Sequence, residues 1–313
     1  MSNNIIDEEI YDVVIIGSGP SGIAAAIYAE RAKLKTIVIE KQYMSGGQIL
    51  NTYEVDNYPG LPEINGFEMG VKFKEHAQKL GAVFVTDEVL NLEIMDNIKK
   101  VNCKKTNYFT KTIIIATGAQ HRLLEVKGEK ELYGKGVSYC ATCDGAFYKE
   151  KEVAVVGGGD VALEDAIFLS RLCKKVYLIH RRDEFRGAKI FQEKVFSIPN
   201  IEIIWDSVVS EIKGENEVTS IDIKNVKTNE LKTIDLDGVF VAIGIIPNSH
   251  IFEEHLSLDD GNYIIAGEDC VASVPGVFVA GDVRTKALRQ IVTAVSDGAN
   301  AITSVEKYLA INF

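Results

Sequence analysis

Positive charge is in deficit along this 313-residue chain: 34 Lys and Arg stand against 45 Asp and Glu, a net charge of −11. That balance argues against a general nucleic-acid role, which needs a basic face for phosphates. Long apolar runs are also missing. The longest weakly polar stretch, residues 13–29, is broken by the turn Gly17-Ser18-Gly19-Pro20-Ser21-Gly22, so a membrane helix is excluded and a soluble protein is expected. The start of the chain is acidic where a signal or transit peptide would be basic. Cysteine is sparse: five residues, an odd number with one close pair, make no disulfide framework and fit a reducing cytoplasm. Neither a second Cys-x-x-Cys nor a spaced His/Cys pair is present to complete a tetrahedral zinc site. Composition is otherwise ordinary, with glycine slightly rich at 26 residues, and the length predicts about two domains.

The close pair sits in Cys140-Ala141-Thr142-Cys143-Asp144. Two thiols at this spacing suit redox exchange, half of a metal site, or a buried structural pair. The neighbours favour redox. One glycine-rich fingerprint precedes the pair, a second follows it, and Asp144 comes directly after the distal sulfur, where it can move protons. A helix N-cap is a compatible second reading of Asp144. Cys103, Cys173 and Cys270 are scattered singly.

The first fingerprint is a complete βαβ unit. Asp12-Val13-Val14-Ile15-Ile16 is a short continuous apolar run, as in a strand buried on both faces of a parallel sheet. The G-x-G-x-x-G turn follows, then a helical stretch over residues 23–32, then a second buried strand ending at Glu40. The glycines allow close approach of a pyrophosphate to the helix N-terminus, and Glu40 falls where it accepts hydrogen bonds from a ribose. The bland alternative is a glycine turn without a ligand, but strand, helix, strand and acid together are specific.

Gly46-Gly47-Gln48 and Asn57-Tyr58-Pro59-Gly60 lie in a long loop region of the kind that covers a ligand. Residues 67–80 read as an amphipathic helix with Phe67, Met69, Gly70, Phe73, Ala77 and Leu80 on its apolar side. The short runs at 83–85, 89–94 and 100–103 suggest an antiparallel meander, and residues 111–119 another buried strand ending in a Gly turn.

After the cysteines the pattern repeats. Glu152-Val153-Ala154-Val155-Val156 leads into Gly157-Gly158-Gly159-Asp160-Val161-Ala162, a helix over 163–172, and a strand over 175–179. Gly17 to Glu40 and Gly157 to His180 span the same distance, and residues 239–244 echo the strand at 113–118, which indicates an internal duplication. The copies differ where specificity is set. Opposite Glu40 stands His180-Arg181-Arg182, with Arg186 one turn on. Cations there accept a 2′-phosphate, so the second site is expected to take NADPH in preference to NADH; a solvated basic patch is the alternative. Finally, residues 276–282 form a buried strand closing on Gly281-Asp282, and Arg289-Gln290-Ile291 opens a long helix. This part lacks its own fingerprint and is expected to complete the first domain, with crossings near 117–119 and 246–248.

Two such units bracketing Cys-Ala-Thr-Cys-Asp resemble the low-molecular-weight, bacterial-type thioredoxin reductases, over residues 11–309. The resemblance implies an α/β fold of two Rossmann-like domains, three-layer ββα, the second inserted into the first: 1–119 with 247–313 for FAD, and 120–246 for NADPH and the Cys pair. It places FAD at Gly17, Ser18, Gly19, Pro20, Ser21, Glu40, Lys41, Gly47, Gln48, Asn57 and Val89, at the strand end Ala116-Thr117-Gly118, and at Gly281, Asp282, Arg289, Gln290 and Ile291. NADPH falls to Gly157, Gly158, Gly159, Asp160, Val161, Ala162, His180, Arg181, Arg182 and Arg186, and to the strand end Ile243-Gly244. The family is homodimeric, acts on thioredoxin, and rotates its NADPH domain between two poses. By the same analogy Cys143 is the sulfur nearest the flavin, Cys140 attacks the thioredoxin disulfide, and Asp144 is the general acid–base.

One position departs from the family pattern. Val161 stands where Ser or Thr is usual, and one lost hydrogen bond of about 0.5–1.5 kcal/mol raises the NADPH KM by roughly tenfold at most. A ferredoxin-driven relative would lack the arginine cluster, and a ferredoxin-type NADP reductase would lack Cys-x-x-Cys. The reductase of a peroxide-scavenging system would carry an additional N-terminal redoxin-like region. A non-catalytic nucleotide sensor would carry an output domain. Another small redoxin remains an alternative acceptor.

Overall fold

The computed structural model describes residues 9–52 and 54–313; the acidic residues before Glu9 lie outside that range. The chain forms two compact units, Met1–Gln120 with Ile246–Phe313, and His121–Ile245.

In the first unit, strand β1 (Ile10–Ile16) leads through Gly17 into helix α1 (Pro20–Arg31) and back to β2 (Thr36–Glu40). Helix α2 (Gly66–Leu80) precedes β3 (Phe84–Thr86), β4 (Val89–Met95), β5 (Ile98–Cys103) and β6 (Asn107–Ile115). The alternation of β1 explains why its run is apolar throughout. Val13 and Ile15 enter the core on one face of the sheet, Val14 and Ile16 the core on the other, as required of a parallel strand covered on both sides. The sheet order is β3-β2-β1-β6-β5-β4. Lys99 to Asn102 of β5 pair antiparallel with the first part of β6. Further along, Ile113 to Ile115 accept a parallel strand from the end of the chain.

Two expectations change here. The run at 83–85 is no part of the meander: β3 pairs parallel with β2, and only β4, β5 and β6 are antiparallel neighbours. On α2 the buried stripe is Gly66, Met69, Gly70 and Ala77. Phe67 is 50% and Leu80 37% exposed, because Phe67 lies a quarter-turn off that stripe and Leu80 sits in the last turn before the left-handed Gly81 (φ 112°).

The chain leaves the first unit through β7 (Ala119–His121). The second unit contains β8 (Val137–Ser138), the short helix α3 (Ala141–Asp144), β9 (Glu152–Val156), α4 (Asp160–Leu169), β10 (Lys175–Ile179), α5 (Lys189–Phe196) and β11 (Ile201–Ile204). The antiparallel trio β12 (Ser207–Lys213), β13 (Ser220–Asn225) and β14 (Leu231–Asp235) follows, then β15 (Gly238–Val241). Its parallel sheet runs β11-β10-β9-β15-β8. As in the first unit, Val153 and Val155 face one core and Ala154 and Val156 the other. Helix α4 begins and ends three residues earlier than expected, directly after Gly159. β15 stops at Val241 and leaves Ile243 and Gly244 in a turn.

The return segment β16 (Ile245–Pro247) pairs with β7. β17 (Val277–Val279) then joins β6, and α6 (Ile291–Asn312) packs on α1. That crossing is tight at Gly298, where a Cβ would stand 2.3 Å from the Ser21 carbonyl oxygen.

Candidate active site

Cys140 and Cys143 are joined in a disulfide with Cα atoms 5.3 Å apart. β8 delivers the segment, and α3 closes it into a single turn in which the Cys143 and Asp144 N–H groups both donate to the Cys140 carbonyl (3.2 and 3.1 Å). The Cys140 sulfur lies 3.4 Å from Thr142 Oγ1. The N-cap reading of Asp144 holds in position only: Cys140 holds the cap position of α3, Asp144 that of the 3-10 turn Gly145–Tyr148, and its side chain makes no capping bond there. Instead its Oδ2 accepts from Ser138 Oγ at 2.5 Å. Burial pushes the Asp144 carboxyl above its ordinary pKa, with the Ser138 hydrogen bond pulling the other way. A carboxyl so placed holds a proton nearer neutrality than a surface aspartate does.

In the first unit, Gly17, Glu40, Ala116 to Gly118 and Gly281 end or follow the parallel strands β1, β2, β6 and β17, the carboxyl ends at which open α/β sheets bind ligands. Gly17 follows β1 with φ +103°, and a Cβ there would stand 2.5 Å from the Ala116 carbonyl oxygen beyond β6. Gly19 caps α1, Pro20 is its first residue and Ser21 its second. Glu40, ending β2, accepts from Ser18 N (2.9 Å) and Ser18 Oγ (2.7 Å). Thr117 and Asn248 exchange side chain–backbone bonds of 2.7 and 2.8 Å, and the Gly118 carbonyl accepts from Asn248 N. Gly47 and Gln48 open a 3-10 turn, and Gln48 donates to the Ala119 carbonyl. Lys41 pairs with Glu88 just before Val89, the first residue of the outer strand β4. Asn57 donates to Gln290 (2.9 Å), which with Thr293 forms a capping box just before Ile291.

Beyond β17, Gly281 passes close over α1: a Cβ would lie 2.5 Å from Ser21 Oγ. Asp282 is pushed up by burial, partly opposed by Lys286 and Arg289. Asp282 Oδ1 and Arg289 Nε are buried without a hydrogen-bond partner among the described residues. Buried polar atoms are rarely left so, and a donor–acceptor pair beside a bare glycine turn fits the polar tail and ring edge of a dinucleotide such as FAD. The turn is fixed from beneath by a cluster that sequence reading missed. Asp297 (2% exposed) accepts from Gly281 N (2.8 Å), from Arg284 Nε and Nη2 (2.9 and 2.7 Å) and from Lys286 Nζ (2.8 Å). Its only signal was a carboxylate on an otherwise apolar helix face.

The second unit repeats the cradle. Gly157 would bring a Cβ to 2.4 Å from the Ala242 carbonyl oxygen, just before Ile243 and Gly244. Gly159 caps α4 and has open space, Asp160 Oδ1 accepts from Ala188 N (2.6 Å), Ala162 is buried, and Val161 is 59% exposed. Arg181, Arg182 and Arg186 are exposed and make no salt bridge among the described residues. His180 does not join them at the surface. It is 5% exposed, packed against Phe185 and Trp205 beneath Gly158. Burial lowers its pKa, opposed by a backbone hydrogen bond at Glu184 and aided by the neighbouring arginines, which disfavours the cation. Its Nε2 lacks a partner among the described residues. The three single cysteines are buried; burial pushes Cys103 and Cys270 up to about 12 and Cys173 to about 11, values that leave their thiols inert.

Known proteins match this arrangement along nearly its whole length. A family profile described as pyridine nucleotide-disulphide oxidoreductase matches residues 11–298. The chain is 48% identical to the thioredoxin reductase of Peptoclostridium acidaminophilum, covering 98% of this chain and 99% of that one. It is 43% identical to that of Listeria monocytogenes, covering 97% and 95%. The crystal structure of thioredoxin reductase from Streptococcus pyogenes superposes with a TM-score of 0.92 at 43% identity, covering 96% of this chain and 99% of that one. Matches of this extent, to relatives alike in length, place the chain in the pyridine nucleotide-disulphide oxidoreductases, among the low-molecular-weight thioredoxin reductases.

Proposed function

We propose that the protein is an NADPH-dependent thioredoxin reductase, acting as a cytoplasmic homodimer. FAD is assigned to the first unit and NADPH to the second, at the residues described above. When bound, the flavin supplies the two-electron relay between nicotinamide and disulfide; everything else falls to the chain. Asp282 and Arg289 offer the polar contacts for the flavin side, and Glu40 those for its ribose once it exchanges the Ser18 bonds. Arg181, Arg182 and Arg186 hold the 2′-phosphate by charge-assisted bonds.

The exchange step balances with the chain's own atoms. In the reduced pair, Cys140 Sγ attacks one sulfur of the thioredoxin disulfide, and the other sulfur leaves and takes a proton. Cys143 Sγ then attacks Cys140 in the mixed disulfide, re-forming the intramolecular bond and releasing the second thioredoxin sulfur, which takes the second proton. Asp144 is the group that holds and passes a proton at this place. The observation that carries the reading is the disulfide flanked by a half-buried carboxyl, in a unit whose glycine cradle is followed by three exposed arginines without a salt bridge among the described residues. Mixing the anaerobic yellow holoprotein with NADPH, and separately with NADH, tests it. Fast bleaching by NADPH alone, with colour restored by oxidised thioredoxin, is expected. Slow bleaching by both nucleotides would overturn the NADPH assignment and direct the search to a reduced iron–sulfur donor.

A further inference from the structure

One side chain joins the two reactive elements of the cysteine segment, and nothing above assigns it a role. Ser138, the second residue of β8, is 3% exposed. Its hydroxyl donates to Asp144 Oδ2 at 2.5 Å and accepts from the Cys140 N–H at 3.0 Å. A hydroxyl has one proton to donate, and here the Asp144 bond is by far the shorter of its two acceptors, the Cys140 carbonyl standing at 3.4 Å. Ser138 therefore fixes the carboxyl relative to the backbone of the attacking cysteine, through a single oxygen held on a strand.

We infer that Ser138 is the positioning residue of the disulfide-exchange step. It occupies Asp144 Oδ2 as a hydrogen-bond donor and so reserves Oδ1 for the transferred proton, while anchoring the carboxyl to Cys140. This rests on the proposed disulfide-reductase reading of the pair. The chemistry follows from bond directions. A protonated Asp144 carries its proton on Oδ1, because Oδ2 already accepts from Ser138. On ionisation the same bond becomes charge-assisted and stabilises the carboxylate. The flanking phenols of Tyr133 and Tyr148 feel the Asp144 charge, but no hydrogen bond to the carboxylate from either is described. Among the described residues, the Ser138 hydrogen bond is what opposes burial.

Removing the hydroxyl moves the Asp144 pKa further up, since burial then acts unopposed. A hydrogen bond to a charged group has the size to shift a titration by about one pH unit or more. The test uses the FAD-loaded full chain as wild type, Ser138→Ala, Ser138→Thr and Asp144→Asn. Infrared difference titration of the oxidised proteins, with Asp144→Asn as the subtraction blank, reads the Asp144 carboxyl whatever the acceptor is. In parallel, the pH dependence of re-oxidation of the reduced proteins by 5,5′-dithiobis(2-nitrobenzoate) reads the exchange step. The inference expects both titrations to rise together by about one unit in Ser138→Ala and to return towards wild type in Ser138→Thr, with flavin content unchanged. An Asp144 titration that stays in place in Ser138→Ala overturns it, as does an equal shift in both Ser138 variants. If the infrared titration moves but exchange keeps the wild-type profile in every variant, Asp144 is not the proton carrier, and the positioning role falls with it. If the wild-type pair never re-oxidises, the reductase reading itself has failed, which the infrared titration alone does not decide.

Discussion

Replacing Asp297 by Asn removes one charge and almost no volume, and the structure says why the effect should be large. The carboxylate is buried, and burial alone would push its pKa up, but the bonds from Arg284 and Lys286 more than offset this and hold it below the ordinary aspartate value. It is therefore charged at neutral pH and neutralises two side chains, Arg284 and Lys286, that are only 2% and 4% exposed. An asparagine leaves Arg284 paired only with Glu268, whose side chain is 84% exposed, and takes from Lys286 its ion-pair partner among the described residues. Breaking a buried ion pair from one side costs about 3–5 kcal/mol. For a unit of this size each kcal/mol lowers Tm by about 2–4 °C, so Asp297→Asn should melt roughly 6–20 °C below wild type. Melting followed by circular dichroism, with flavin fluorescence recording release of the cofactor, measures both consequences. Flavin release should move with unfolding or ahead of it, because the amide keeps one acceptor oxygen in place of two, and Gly281 N–H, which positions the Asp282 turn, must share it with Arg284 and Lys286. The depressed pKa sets the pH dependence. The stabilisation is present above the unfolded aspartate pKa and is lost as pH falls through the folded one, so the two proteins should converge in acid. A Tm drop below about 3 °C at neutral pH, under the same scaling, would refute the claim that this cluster holds the turn.

Three further outcomes are expected. Arg181→Ala or Arg186→Ala should raise the NADPH KM by roughly 10–100-fold, from about 1.5–3 kcal/mol per charge-assisted bond, and leave the NADH value unchanged; equal losses for both nucleotides would contradict the 2′-phosphate assignment. Gly17→Ala should yield protein with little flavin, because its Cβ would meet the Ala116 carbonyl oxygen at 2.5 Å in a backbone at φ +103°; full flavin content by absorbance would contradict the cradle. Burial, reinforced by Glu164, raises the Asp165 carboxyl from the ordinary 3.8 to about 7. Its penalty is absent below pH 3.8, where folded and unfolded chains are both protonated, and grows to at most about 4 kcal/mol above pH 7. Asp165→Asn should therefore raise Tm near pH 8 and do little near pH 4, and a gain equal at both would refute the shift.

The parts of this protein visible in its sequence are those fixed by neighbours along the chain. A strand buried on both faces must be apolar throughout, and a turn that meets a pyrophosphate must lack Cβ atoms, so both βαβ units and both cradles could be read directly. The aspartate after Cys143 was equally plain. What escaped were contacts that exist only once elements pack on one another. Asp297 and Arg284 are ordinary charges until α6 is laid beside the β17 turn, and Ser138 is one serine among many until α3 folds its hydroxyl onto Asp144. His180 was grouped with the arginines by its spacing from Gly157, yet it is drawn into the core beside Phe185 and Trp205. Parallel pairing of β3 was hidden for a related reason: a three-residue run carries no mark of its partner's direction.

The central claim is that electrons from NADPH reach Cys140 and Cys143 and no other sulfur. Anaerobic addition of NADPH to the holoprotein, quenching with a thiol-alkylating reagent, and peptide mass spectrometry measure this directly. The account predicts new alkylation at Cys140 and Cys143, while Cys103, Cys173 and Cys270, buried with raised pKa values, stay unmodified in the folded protein. A flavin that bleaches while the Cys140–Cys143 bond persists would contradict it.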